Sequence, residues 1–177
     1  ISISFWVKIN NNAVTSAILS KGGGAGRFWV VYSAVDNLIR INSYFGGVKD
    51  YWLIANAPNL NDGKWHHIVG VFDRTGNEEI FVDKDSRGVL DMSGAATDNW
   101  DSVSAFIFSS GDYSFFNGSI DDVMLFKRAL SAAEIAGLYA NTSQKYLLQS
   151  FDNLENTNYT FKAYAQDGAG NVNWTET

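Results

Sequence analysis

From Ile1 to Ile9 the chain alternates: Ile1, Ile3, Phe5, Val7 and Ile9 on one parity, Ser2, Ser4, Trp6 and Lys8 on the other. Successive side chains of a strand point to opposite faces, so this period of two predicts a half-buried β-strand. The same reasoning predicts a short strand at residues 15–21, closed by the glycine-rich loop 22–26. In residues 27–33, Phe28, Val30 and Tyr32 oppose Arg27, Trp29 and Val31. Residues 37–45 and 48–55 read as a hairpin across Gly46-Gly47. Strands follow at 64–72 and 78–83 around a turn at 73–77, then a loop at 91–99 and strands at 102–109 and 115–126. In the last, Phe116, Gly118, Ile120, Met124 and Phe126 share one face and Val123 and Leu125 the other, which predicts cover on both sides toward its end. There the period changes. Ser131 followed three residues later by Glu134 is a capping box, and Ile135, Leu138 and Tyr139 form a helical stripe. A lone short helix after many closely spaced strands predicts an all-β, antiparallel β-sandwich with that helix on its end or edge.

Composition agrees with a packed strand-and-turn protein. The 177 residues are 46% hydrophobic and 15% aromatic, with sixteen glycines and a single proline. A net charge of −6 argues against nucleic acid as partner, because phosphate backbones require basic patches. With no cysteine there is neither a disulfide nor a thiolate metal site. No apolar run approaches the ~18 to 20 residues that span a bilayer, so direct membrane insertion is not expected.

Four segments carry a resemblance. They are Trp65-His66-His67 in a strand, Ile80-Phe81-Val82-Asp83 at a turn, Gly118-Ser119-Ile120-Asp121, and Leu130-Ser131-Ala132-Ala133-Glu134-Ile135. In this order, with the opening strand, they resemble the laminin-G-like jelly rolls of the concanavalin A-like group. The resemblance covers residues 1–141 and implies a jelly-roll sandwich whose N-terminal strands precede Ile1. The chain departs from the pattern after Val82. The family has Asp-Gly, whereas here Asp83-Lys84-Asp85-Ser86-Arg87-Gly88 predicts a longer hairpin.

Beyond a boundary near Asn141-Thr142-Ser143, residues 142–177 predict three more strands, at 145–151, 158–165 and 172–175. Leu154 with Tyr159 resembles the tyrosine corner of immunoglobulin-like and fibronectin type III modules, and residues 167–171 read as the turn into the last strand. Three strands make only part of such a module.

Candidate chemistry is sparse. Sugar rings stack their C–H faces on Trp and Tyr while polar side chains bond the hydroxyls. Trp29, Arg40, Asn42, Tyr44, Asp50 and Trp52 are aromatic or polar on strands 27–33, 37–45 and 48–55, and form a ligand-binding set if those strands are neighbours. The alternative is that these aromatics fill the core or cover edges. Asp121 is in phase with Val123 and Leu125. The resemblance implies a structural calcium ion in many such domains, with Asp121 as a candidate ligand; alternatively Asp121 or Asp122 accepts backbone N–H groups at a bulge. His66 and His67 are adjacent on one strand, point to opposite faces and read as structural. The laminarinase-like hydrolases of this group place Glu, Asp and Glu on alternate positions of one strand. The nearest run here, Glu79, Phe81, Asp83 and Asp85, lacks the middle carboxylate, and no serine–histidine–aspartate order emerges. Sequons at Asn117, Asn141, Asn158 and Asn173 slightly exceed the roughly two or three expected by chance.

The expectation is a non-catalytic recognition or adhesion module of a large secreted or surface prokaryotic protein, extracellular or at the cell surface. Its expected partners are a glycan or another surface protein, and neighbouring modules of the same polypeptide. A structural spacer and an accessory domain of a glycoside hydrolase are the alternatives.

Overall fold

A computed structural model describes residues 1–10, 13–23, 26–45, 49–55, 59–96, 106–109, 114–143, 164–166 and 172–174. They fall in two compact units, Ile1–Lys145 and Tyr146–Thr177. The larger is a β-sandwich. Its first sheet has the order β11-β1-β6-β7-β8, formed by β1 (Ser2–Ile9), β6 (Trp65–Phe72), β7 (Asn77–Val82), β8 (Asp85–Asp91) and β11 (Gly118–Phe126). Its second has the order β10-β2-β3-β4-β5, with β9 (Phe106–Phe108) also paired to β2. These strands are β2 (Ser16–Gly23), β3 (Gly26–Ser33), β4 (Leu38–Phe45), β5 (Lys49–Ile54) and the short β10 (Ser114–Phe115). All pairings are antiparallel except β10 on β2. In the smaller unit, β12 (Tyr164–Gln166) pairs antiparallel with β13 (Val172–Trp174). The expected strand at 145–151, the Leu154/Tyr159 corner and the 167–171 turn lie outside the described residues.

The alternating positions build the core as predicted. Ile3, Phe5, Val7 and Ile9 of β1 meet Phe28, Val30 and Tyr32 of β3, Ile39 and Ile41 of β4, and Ile80 and Val82 of β7 between the sheets. Burial of each large side chain contributes about 1.5–3 kcal/mol. The capping box forms: Glu134 Oε2 accepts from the Ser131 backbone N–H and hydroxyl, and Ser131 Oγ accepts from Glu134 N–H. It starts α1 (Ala132–Ser143), the one α-helix among the described residues, whose last turn takes up Asn141 and Thr142.

Five expectations are corrected. First, the helix lies on the outer face of the first sheet, not its end or edge. Leu130, Ile135 and Leu138 pack on Val69, Val71 and Phe81, and Trp6 stacks on Tyr139 at 5.6 Å between centroids. The alternate face of β1 is therefore buried too. Ser2 Oγ donates to Arg128 O and accepts from Leu130 N, and Trp6 Nε1 donates to Thr142 Oγ1. Second, residues 115–126 are not one strand. β10 belongs to the second sheet and β11 to the first, and the chain crosses between them at Phe116-Asn117.

Third, β11 does not keep one phase. Ser4 pairs with Met124 and Trp6 with Asp121, so Asp122 and Val123 together oppose Phe5, with Asp122 at φ 48°. This bulge turns Ile120 to the main core but Phe126 to the helix side. Because β11 is also the edge strand, Val123 and Leu125 are 38% and 52% exposed rather than covered. Fourth, the hairpin after Val82 is tight, not long: Val82 pairs with Asp85 across Asp83 (φ 50°) and Lys84 (φ 70°). Left-handed backbone costs an L-residue about 1–2 kcal/mol. Asp83 offsets it, since its carboxylate accepts from His67 N at 3.0 Å and meets His66 Nδ1 at 2.8 Å. Fifth, Asp85 to Gly88, read as part of that hairpin loop, and Asp91, read as the start of the loop at 91–99, belong to the edge strand β8.

Candidate functional site

The outer face of the second sheet collects the predicted binding residues. Arg27 pairs with Tyr44 and Tyr44 with Asp50; Trp29 pairs with Asn42 and Asn42 with Trp52; Val31 pairs with Arg40 and Arg40 with Ile54. Directly paired residues share a face, so Trp29, Arg40, Asn42, Tyr44, Asp50 and Trp52 stand on one side of three adjacent strands. This is the face opposite Phe28, Val30 and Tyr32, and helix α1 lies on the other sheet. The side chains of Asp50 and Trp52 lie outside the described residues.

Within the set the roles differ. Trp29 and Tyr44 are half-buried. Arg40 binds Asp36 through Nη2, four residues back across the turn between β3 and β4. Asn42 is only 1% exposed and belongs to the body of the face rather than to its surface. The residue that sequence reasoning left out of the set is Arg27. Its Cζ lies 4.5 Å from the centroid of the Trp29 ring and 4.5 Å from that of Tyr44, so its guanidinium joins the two aromatics. The signal for it was its shared parity with Trp29. Arg27 Nε is buried without a hydrogen-bond partner. Among the described residues Arg27 forms no ion pair, whereas Arg40, Arg87 and Arg128 each bind a carboxylate.

The histidines point to opposite faces, as expected. His66 sits between two carboxylates, with Nδ1 2.8 Å from Asp83 Oδ2 and Nε2 3.1 Å from Asp62 Oδ1. The bond to Asp83, followed by that to Asp62, outweighs burial and raises its pKa above 6.5. His67 lies beneath Trp6 and Tyr139 with Nε2 2.8 Å from Ser4 Oγ, and burial lowers its pKa to about 4. His67 is 1% exposed.

The carboxylate run nearest to a hydrolase array is dispersed. Phe81 is buried under the helix, Asp83 is engaged by His66 and the His67 backbone, and Glu79 binds Ser86. Asp121 faces the same way as Trp6, not Val123 as its phase predicted, because of the bulge. Its Oδ1 accepts from Asp122 N at 2.8 Å, the local role open to it as an alternative to calcium. Among the described residues no three His, Cys, Asp or Glu side chains gather to hold a metal. No described helix is long and apolar enough to cross a membrane.

A family model described as the Concanavalin A-like lectin/glucanases superfamily matches residues 1–136. No curated protein matches the chain. Among solved structures, the binding domain of Paraclostridial Mosquitocidal Protein 1 aligns with a TM-score of 0.67 at 15% identity, covering 92% of this chain and 42% of that one. The receptor binding domain of botulinum neurotoxin D aligns at 0.62 and 15% identity, covering 81% and 37%. The native heptameric SAP-like pentraxin of Limulus polyphemus aligns at 0.61 and 11% identity, covering 78% and 68%. At these identities the likeness is one of fold, and the chain spans less than half of either of the first two binding domains.

Proposed function

Because the chain belongs to the Concanavalin A-like lectin/glucanases superfamily, we propose that its jelly roll is a non-catalytic recognition module that binds carbohydrate on the outer face of β3, β4 and β5. The observation that carries this reading is the shared register of Arg27, Trp29, Arg40 and Tyr44 on the two neighbouring strands β3 and β4. An aromatic face flanked by guanidinium groups suits a sugar, whose C–H side stacks while its hydroxyls accept N–H bonds. Two of the domains it resembles in fold, those of botulinum neurotoxin D and Paraclostridial Mosquitocidal Protein 1, are binding domains. The module acts outside the cell or at its surface, where glycans and adhesion partners are found. The second compact unit, Tyr146–Thr177, contributes part of an immunoglobulin-like or fibronectin type III-like neighbour in the same polypeptide.

The test is a glycan array probed with the chain and with Trp29→Ala and Tyr44→Ala, each checked for an unchanged thermal melt. Binding to a restricted set of glycans, lost in both variants, is expected. Binding that survives both substitutions refutes this face as the site. An absence of binding to any glycan favours the structural spacer. Melting in EDTA tests the structural calcium ion at Asp121: a lowered melt supports it, and an unchanged one removes it.

A further inference from the structure

Resting on that reading of the face, we infer that its ligand is an acidic glycan and that Arg27 receives the carboxylate of a uronate-type sugar. The guanidinium lies 4.5 Å from the centroids of both Trp29 and Tyr44. Both rings lie against the guanidinium and its Nε is buried, which leaves the terminal Nη groups as the remaining means of recognition. Those groups form a rigid fork whose spacing matches a planar carboxylate, and the rings reduce the rotamer freedom that a free arginine would lose on binding. Arg27 also occupies ring surface that a neutral sugar would need for stacking, so the geometry disfavours simple C–H stacking as the whole interaction.

Charge distinguishes this arginine from others in the chain. Arg40 is neutralised by Asp36, Arg87 by Asp85 and Arg128 by Glu134, while Arg27 has no carboxylate among the described residues. A partly buried cation that lies against two rings and has no carboxylate partner among the described residues gains from an arriving anion. The net charge of −6 does not forbid this. At physiological ionic strength, charges beyond about 8 Å are largely screened, so the contact partner outweighs the distant surface. The same net charge disfavours a densely sulfated chain, which would bring many anions against an acidic protein. One carboxylate per sugar fits the arrangement better.

The experiment titrates the whole chain with alginate, polygalacturonate and hyaluronate, each beside its carboxyl-reduced neutral form, with heparin as the sulfated comparison. Arg27→Met and Arg27→Lys are measured in parallel, with melting curves to verify folding. The expected result is binding to at least one uronate polymer about 10-fold or more tighter than to its reduced form, as a charge-assisted bidentate pair implies. That preference disappears in Arg27→Met and weakens in Arg27→Lys, which keeps the charge but not the fork. Equal binding of acidic and reduced forms, sensitive to Trp29→Ala, overturns this inference and leaves the glycan face standing. Preference for heparin, or an acidic preference that survives Arg27→Met, overturns it as well. Failure to bind these polymers or any neutral glycan overturns both readings.

Discussion

Glu78 offers the sharpest test of the packing. It lies on β7 in phase with Ile80 and Val82, faces the other sheet and is 0% exposed. Ser43 Oγ on β4 donates to its Oε1 at 2.8 Å, while Oε2 has no partner. Burial outweighs that bond and raises the carboxyl pKa from 4.5 to about 8. The folded protein therefore keeps the proton up to about pH 8, whereas the unfolded chain releases it near 4.5. Between those values the unfolded state binds fewer protons, so stability falls by about 1.4 kcal/mol per pH unit as pH rises. The full loss, on the order of 5 kcal/mol, is reached above pH 8 and absent below 4.5. Whole domains are stable by only about 5–15 kcal/mol, so this is a large fraction. Glu78→Gln preserves the acceptor for Ser43 and removes the ionisation. Urea unfolding of both proteins from pH 4 to 9 (about five points) should give curves that coincide near the acid end and diverge steadily, with the variant more stable by several kcal/mol at the alkaline end. A difference that does not change with pH would show that Glu78 ionises freely and is not enclosed between the sheets.

Two further outcomes follow from named contacts. His66, with its pKa raised by Asp83 and Asp62, adds stability that is complete below 6.5 and fades as pH climbs through its folded value. His66→Gln should therefore cost about 1.5–3 kcal/mol in mildly acidic buffer and less in alkaline buffer, read by denaturation alongside an NMR titration of the imidazole; an equal cost at both ends would contradict the paired geometry. At Gly118 an added Cβ would fall 2.3 Å from Lys8 O, whereas at Gly137 on the helix it meets nothing within 4 Å. Gly118→Ala should lower stability by about 1–3 kcal/mol and Gly137→Ala should raise it by about 0.5–1 kcal/mol, and melting curves in which the two share a sign would refute the register of β1 on β11.

The candidate face was legible only in pieces. Trp29, Arg40, Tyr44 and their companions could be sorted by parity along each strand, but parity along one strand says nothing about which strands are neighbours. Pairing joined them into a face, made Asn42 a buried member of it and brought Arg27 within reach of two rings. Glu78 was hidden for a related reason. Its phase with Ile80 and Val82 places it inward, yet a carboxylate reads as surface until the opposing Ser43 is known.

Residue chemistry alone determined the two-sheet class, the inward positions of β1, β3, β4 and β7, and the capped start of α1. Each follows from local geometry: a period of two, or a side chain reaching its own helix's first turn. Only the tertiary structure decided where the helix docks, how the strands order, and that β11 changes phase midway. Those outcomes depend on partners distant in sequence. Trp6 meets Thr142 across 136 residues, and Asp122 adopts left-handed backbone opposite Phe5. A bulge inserts one residue and inverts every later side chain, and a repeating apolar pattern carries no mark of that single step.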